Sequence, residues 1–221
     1  MSIQNNIFDE ITDQKKRGVL LVLTGPTCAG KDALIEELLK KNTNLIRLVT
    51  TTSRPPRPEE KQGHDYYFVE REQFEELIAK EAFVEWVEYR GHYKGGQKQH
   101  VEQALSSGKD VVWRIDVRGV KNIKSTVKKM INDPNSPVNH VAFVFLTAPD
   151  LNTLEKRIIK RGTESEKEIT ISLNLAKWEF AQFEDSDYLV VNEDGKLDQA
   201  VVKAQSIIEA SRLKISKNNF H

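Results

Sequence analysis

The sequence predicts an α/β protein built on a five-stranded parallel sheet covered by helices. Three observations carry that prediction. Five short apolar runs are spread along the chain, amphipathic helical patterns lie between most of them, and a Gly-Lys loop follows directly on the first run. Parallel strands need crossover connections and are buried on both faces, so they read as near-continuous apolar stretches.

The elements follow in order. "VLLVLT" at 19–24 is the first strand, and the stretch 32–41 is a helix with Ala33, Leu34, Leu38 and Leu39 near one face. "LIRLV" at 45–49, "VVWRID" at 111–116, "VAFVFL" at 141–146 and "YLVV" at 188–191 supply the other strands. Helical patterns cover 97–107, 117–131, 150–161 and 196–213. Two regions break the rhythm. Residues 50–100 hold a Pro/Arg turn, a Tyr/Phe segment and an acidic helix, and read as an inserted subdomain. Residues 160–184 are densely charged and read as a helical arm. Insertions at the carboxyl ends of parallel strands are where ligand sites tend to lie.

Composition narrows the function classes. The 33 Lys and Arg balance the 33 Asp and Glu, so there is no global pull toward nucleic acid or an anionic membrane, and phosphate recognition must be local. No apolar run approaches the ~20 residues that span a bilayer. The first residues lack the apolar core of a signal peptide. One cysteine, Cys28, excludes an internal disulfide and points to a reducing, cytoplasmic setting.

The chemistry begins with "GPTCAGKD", Gly25 to Asp32. Gly25, Gly30 and Lys31 fit the phosphate-loop pattern G-x-x-x-x-G-K, in its required place between strand and helix. Such a loop turns successive backbone N–H groups inward, at the positive end of the following helix, and its lysine reaches the β- and γ-phosphates. Pro26, Thr27, Cys28 and Ala29 would line it through their backbones. Cys28 reads as a small loop residue, or else as a thiol made reactive by the helix terminus. The pattern places Ser or Thr after the lysine, with its hydroxyl on Mg²⁺; here Asp32 stands there. A carboxylate suits a helix N-terminus and can hold Mg²⁺, at the cost of a negative charge near the phosphates.

A second cluster follows in "TTTSRPPRPEEKQGHDYYFV" at 50–69. Arg54 and Arg57 flank rigid prolines, which hold both guanidiniums with little entropy to lose, and guanidinium forks match phosphate geometry. Tyr66 can add a donor. The alternative is a solvated turn with surface arginines.

Taken in order, "GPTCAGK", "TTTSRPPR", "GHDYYFV", "FVEWVEY", "IDVRGV", "RGTES" and "VVNED" resemble the guanylate kinases over roughly residues 18–210. That family phosphorylates GMP to GDP with ATP and Mg²⁺. The resemblance implies a P-loop NTPase core (18–49, 101–149 and 184–213), a GMP-binding subdomain at 50–100 and a helical lid at 150–183. It implies that Arg54, Arg57 and Tyr66 meet the GMP phosphate, and that Thr50 and Glu85 meet the guanine. A carboxylate accepts from the guanine N1–H and exocyclic amine, whereas adenine carries an acceptor at N1. Asp116 matches a site residue near the nucleotide. Asn192 matches the asparagine beside the ATP base. Arg157 and Arg161 match lid arginines that reach the triphosphate or stack on the donor adenine, and with Lys31 they make up the implied catalytic set. The implied partners are ATP, GMP and also dGMP, without nucleic acid or membrane, in a monomer or homodimer.

The chain also departs from that pattern. In "GHYKGG", Tyr93 is kept as an implied GMP-site residue, Lys94 stands in place of a phosphate-binding tyrosine and can meet the GMP phosphate as a cation, and Gly96 stands in place of a hydroxyl residue. Arg114 replaces an aspartate two residues before Asp116, and can pair with Asp32 or with a phosphate. Ser172 stands where a lid arginine is often found. Two other readings fit parts of the sequence. One is ribose 1,5-bisphosphate phosphokinase, which resembles this core and often carries Gly-Lys-Asp. The other is a non-catalytic guanylate-kinase-like binding module, in which the phosphate loop tends to be lost.

Overall fold

The computed structural model describes residues 18–89, 91–132, 136–138, 140–161 and 166–214. Its centre is a five-stranded sheet in the order β2-β7-β1-β8-β9. These strands are β1 (Val19–Thr24), β2 (Leu45–Arg47), β7 (Asp110–Arg114), β8 (His140–Thr147) and β9 (Tyr188–Val191), and all neighbouring pairs are parallel. All five predicted runs are strands; β1 and β9 match to the residue, and the ends of the other three shift by at most two residues.

Strand alternation splits β1 between two cores. Val19, Leu21 and Leu23 pack with Leu34, Ile35 and Leu38 of α1 (Lys31–Lys41) and with Ala200, Ala204 and Ile208 of α7 (Leu197–Arg212). Leu20 and Val22 face Val101 and Leu105 of α3 (Lys98–Ser106) and Ile123 and Val127 of α4 (Val120–Ile131). One correction concerns α1. Ala33 is exposed and Ile35 is buried, because residues 34, 35 and 38 share the stripe that faces the sheet.

A second, four-stranded sheet has the order β4-β3-β6-β5. It comprises β3 (Thr50–Thr52), β4 (Tyr66–Phe68), β5 (Phe83–Tyr89) and β6 (His92–Gln97). It falls within the stretch expected to be inserted. Its own small core stacks Phe74 of α2 (Arg71–Ala79) against Phe83 and Tyr93. After β8 the chain forms α5 (Leu151–Arg161) and α6 (Glu166–Phe180), which meet through Leu154 and Ala176.

Candidate active site

The carboxyl ends of β1, β7 and β9 converge on one place, as expected for an open parallel sheet. The loop after β1 is shaped by two glycines. Gly25 has φ 138° and a Cβ there would lie 1.9 Å from the Leu146 carbonyl oxygen, so only glycine fits. Gly30 has φ 95°, and its bare Cα lets the Asn192 amide approach; Asn192 Nδ2 donates to the Ala29 carbonyl at 2.9 Å. Cys28 also has positive φ, at 58°, and is only partly buried. The loop is thus pinned from β9 through Asn192.

Lys31 folds back onto its own loop, with Nζ donating to the carbonyls of Gly25 at 2.5 Å and Pro26 at 2.7 Å. Burial, and then the nearby Arg114 guanidinium, pulls its pKa down to about 8, against the opposing pull of Glu179, Asp32 and Asp116. Four charged groups, from α1, α6, β7 and the turn that follows β7, therefore act on this ammonium.

Glu179 is the residue that sequence reasoning missed. It lies on α6, is buried, and accepts the Thr27 backbone N–H on Oε2 at 3.0 Å. A carboxylate oxygen therefore sits on a phosphate-loop amide. Desolvation raises its pKa despite the Thr27 hydrogen bond and the charge of Lys31. A signal existed in the sequence: Glu179 follows Ala176 by three residues, which puts a carboxylate on the buried face of the helix.

Arg157 also reaches the loop. Its Nη2 donates to the Asn192 carbonyl at 2.8 Å and to Asp194 at 2.6 Å, and its Nη1 lies 3.5 Å from the Ala29 carbonyl. The expectation for Arg161 concerns a side chain outside the described residues, as do residues 162–165 of "RGTES".

The second cluster assembles on the four-stranded sheet. The Arg54 guanidinium packs over the Tyr66 ring at 5.6 Å, and Lys94 Nζ donates to the Tyr66 hydroxyl at 3.3 Å. Glu60 braces the turn, accepting Arg54 Nη2 at 2.7 and 2.8 Å and the Arg57 backbone N–H at 2.8 Å. The Arg57 side chain is exposed on the same turn.

Tyr93 does not join this cluster. Neighbours on a strand point to opposite faces, so Lys94 on the Tyr66 side puts Tyr93 into the subdomain core. There it stacks on Phe74, and its hydroxyl accepts from Arg71 at 2.8 Å and donates to Glu75 at 3.3 Å. Gly96 also has a structural reason. A Cβ there would come within 2.4 Å of the Trp113 ring, so the indole fills the place of the expected hydroxyl.

Glu85, on β5, stands between the two clusters, with Thr50 buried on β3, across the intervening β6. Desolvation, reinforced by Asp116 and opposed by Lys94, lifts the Glu85 pKa to about 7. Asp116 moves the other way. Burial alone would raise it, but Arg118 bonds it at 2.8 and 2.9 Å and, with Lys31, holds it below the ordinary value. Asp116 thus acts electrostatically on both Lys31 and Glu85.

At the position after the lysine, both oxygens of Asp32 accept from Arg114 Nη1, at 2.6 and 2.8 Å. Among the described residues no group of three or more His, Cys, Asp or Glu is placed to hold a metal ion. A hard carboxylate suits Mg²⁺ in kind, yet this one is committed to a guanidinium. The residues present do not fit the expectation of Asp32 as a metal ligand.

The family model for guanylate kinase matches residues 17–211. A guanylate kinase of Thermotoga maritima is 38% identical over 202 residues, covering 91% of each chain. One from Lactobacillus johnsonii is also 38% identical, over 91% of this chain and 93% of its own. The crystal structure of guanylate kinase from Anaplasma phagocytophilum superimposes with a TM-score of 0.67 at 26% identity, covering 91% of this chain and 90% of that one. With the phosphate loop, both sheets and this family match in place, the chain belongs to the guanylate kinase family.

Proposed function

We propose that the protein transfers the γ-phosphoryl group of ATP to GMP, giving ADP and GDP, and accepts dGMP as well. One observation carries the reading: Lys31 and Asp116 act on each other, and Asp116 and Lys94 both act on Glu85, so a run of charges leads from the phosphate loop to the arginine cluster. Two phosphate-binding groups joined in this way suit a donor and an acceptor held face to face. Phosphoryl transfer demands mainly such positioning and charge stabilisation.

In this reading ATP enters as its Mg²⁺ complex, with the metal carried by the phosphates. Its triphosphate lies along the amides of residues 25–32, Asn192 flanks the base, and Lys31 turns from its loop carbonyls to the transferring group. GMP places its phosphate on Arg54, Arg57, Tyr66 and Lys94, and its guanine against Glu85 and Thr50. The four-stranded sheet is the acceptor subdomain, and α5 and α6 form the lid carrying Arg157 and Arg161. Closure would exclude water and so suppress ATP hydrolysis. The single cysteine and the bacterial relatives support a cytoplasmic setting.

The test is an acceptor panel: ADP release from Mg-ATP with GMP, dGMP, AMP or ribose 1,5-bisphosphate. Turnover with the guanine nucleotides only is expected. Turnover with ribose 1,5-bisphosphate, or with no acceptor at all, would overturn the reading.

Glu179 yields a separate prediction. A phosphate oxygen on the Thr27 amide competes with this carboxylate, so removing the charge while keeping the shape relieves the competition. Glu179→Gln is expected to tighten ATP binding by about three- to tenfold, the scale of one partly screened charge. Titration calorimetry reads it directly, and weaker binding in the variant would show that Glu179 supports the loop instead.

A further inference from the structure

Arg114 stands at the carboxyl end of β7, level with Leu23 of β1, immediately beside the phosphate loop. Its guanidinium meets Asp32 through Nη1 alone in the two bonds described above. A guanidinium carries five N–H donors, so others remain for an anion while the pair stays intact. Arg47 lies 3.9 Å from the same carboxylate, and Lys31 is the residue before it in sequence. Asp32 is thus flanked by three cations at the mouth of the loop, where Glu179 and Asp116 also act on Lys31. Arg114 is 44% exposed and Asp32 55%, so this is no buried structural salt bridge, and exposed ion pairs contribute little to stability.

We propose that Arg114 is a donor-phosphate-binding residue and that Asp32 is its positioning residue rather than a metal ligand. The inference rests on the phosphotransferase reading. In the usual loop a hydroxyl after the lysine helps hold the metal that neutralises the phosphates. Here the same neighbourhood supplies a permanent cation, oriented by the residue that stands in the hydroxyl's place. Arg114 also helps lower the Lys31 pKa, which places its charge near the ammonium that serves the same phosphates. Arg forks hold phosphate oxygens through directed, charge-assisted bonds that a lysine does not reproduce.

The experiment is titration calorimetry of the full chain with ATP, in EDTA and in Mg²⁺, and with GMP as a control. Arg114→Gln keeps the stem and a hydrogen bond to Asp32, so the fold is retained while the charge is lost. It is expected to weaken metal-free ATP binding about tenfold or more and leave GMP affinity within about twofold. Arg114→Lys returns the charge and is expected to recover most of that loss. Asp32→Ala is expected to keep the ratio of ATP affinities with and without Mg²⁺ within about twofold of wild type. Metal-free ATP affinity unchanged in Arg114→Gln would overturn the assignment of Arg114. A collapse of the Mg²⁺ ratio in Asp32→Ala would make Asp32 a metal ligand and overturn the other half. Failure of the wild type to make GDP would instead sink the proposed function, and these binding readouts do not depend on it.

Discussion

Lys31→Ala is expected to reduce GMP-dependent ADP formation by about a thousandfold or more, equivalent to ~4 kcal/mol of transition-state stabilisation. The size follows from where the ammonium sits. It is largely withdrawn from water, and its charge acts in a medium that screens it poorly. In the proposed reaction it meets negative charge that develops on the transferring group. The same substitution removes the cation that faces Glu179, Asp32 and Asp116. Circular dichroism and a thermal melt separate lost catalysis from lost folding. Retained turnover in a folded Lys31→Ala protein would place the chemistry elsewhere.

Glu85 carries the second large effect, and it acts on both activity and stability. Glu85→Ala is expected to lower kcat/KM for GMP by about a hundredfold or more, since two charge-assisted hydrogen bonds to guanine are lost, while ATP binding stays nearly unchanged. Equal losses toward both substrates would refute the assignment. The isosteric Glu85→Gln tests the cost of keeping the carboxylate there. Its pKa rises from 4.5 to about 7 in the folded protein. The folded state therefore binds this proton more tightly than the unfolded chain does. The associated stability is fully present below about pH 4.5 and is lost as pH rises to about 7. Glu85→Gln lacks this loss, so it should exceed wild type in stability by on the order of 2–3 kcal/mol at pH 8 and by much less at pH 5. Urea denaturation at both pH values reads the difference. GMP use by wild type should also fall below pH 7, as the accepting carboxylate takes up its proton.

Much of the fold was legible because its signals are local. The strand β1 is five apolar residues and a threonine, buried on both faces, and the loop after it carries glycines whose φ values are open to little else. Arg54 and Tyr66 could be grouped by the chemistry of the Pro/Arg turn, and Lys94 by the resemblance that puts a phosphate-binding tyrosine at its position. What stayed hidden depends on pairings across long sequence distances. Glu179 meets Thr27 from 152 residues away, and Trp113 fills the space beside Gly96 from another strand. Tyr93 packs into the small core with Phe74 rather than joining Arg54 and Tyr66, since strand alternation shows which neighbours share a face but not which face is wet. The Asp32–Arg114 exchange was visible as two opposite departures from a pattern; the 2.6 Å contact joins them.

The central claim is tested most directly by following both products of one reaction. Purified protein is mixed with Mg-ATP and GMP, and ATP, ADP, GMP and GDP are quantified by chromatography over time. The account predicts GDP and ADP rising in equal amounts, with ADP formation negligible when GMP is left out. ADP appearing without an equal amount of GDP would contradict it.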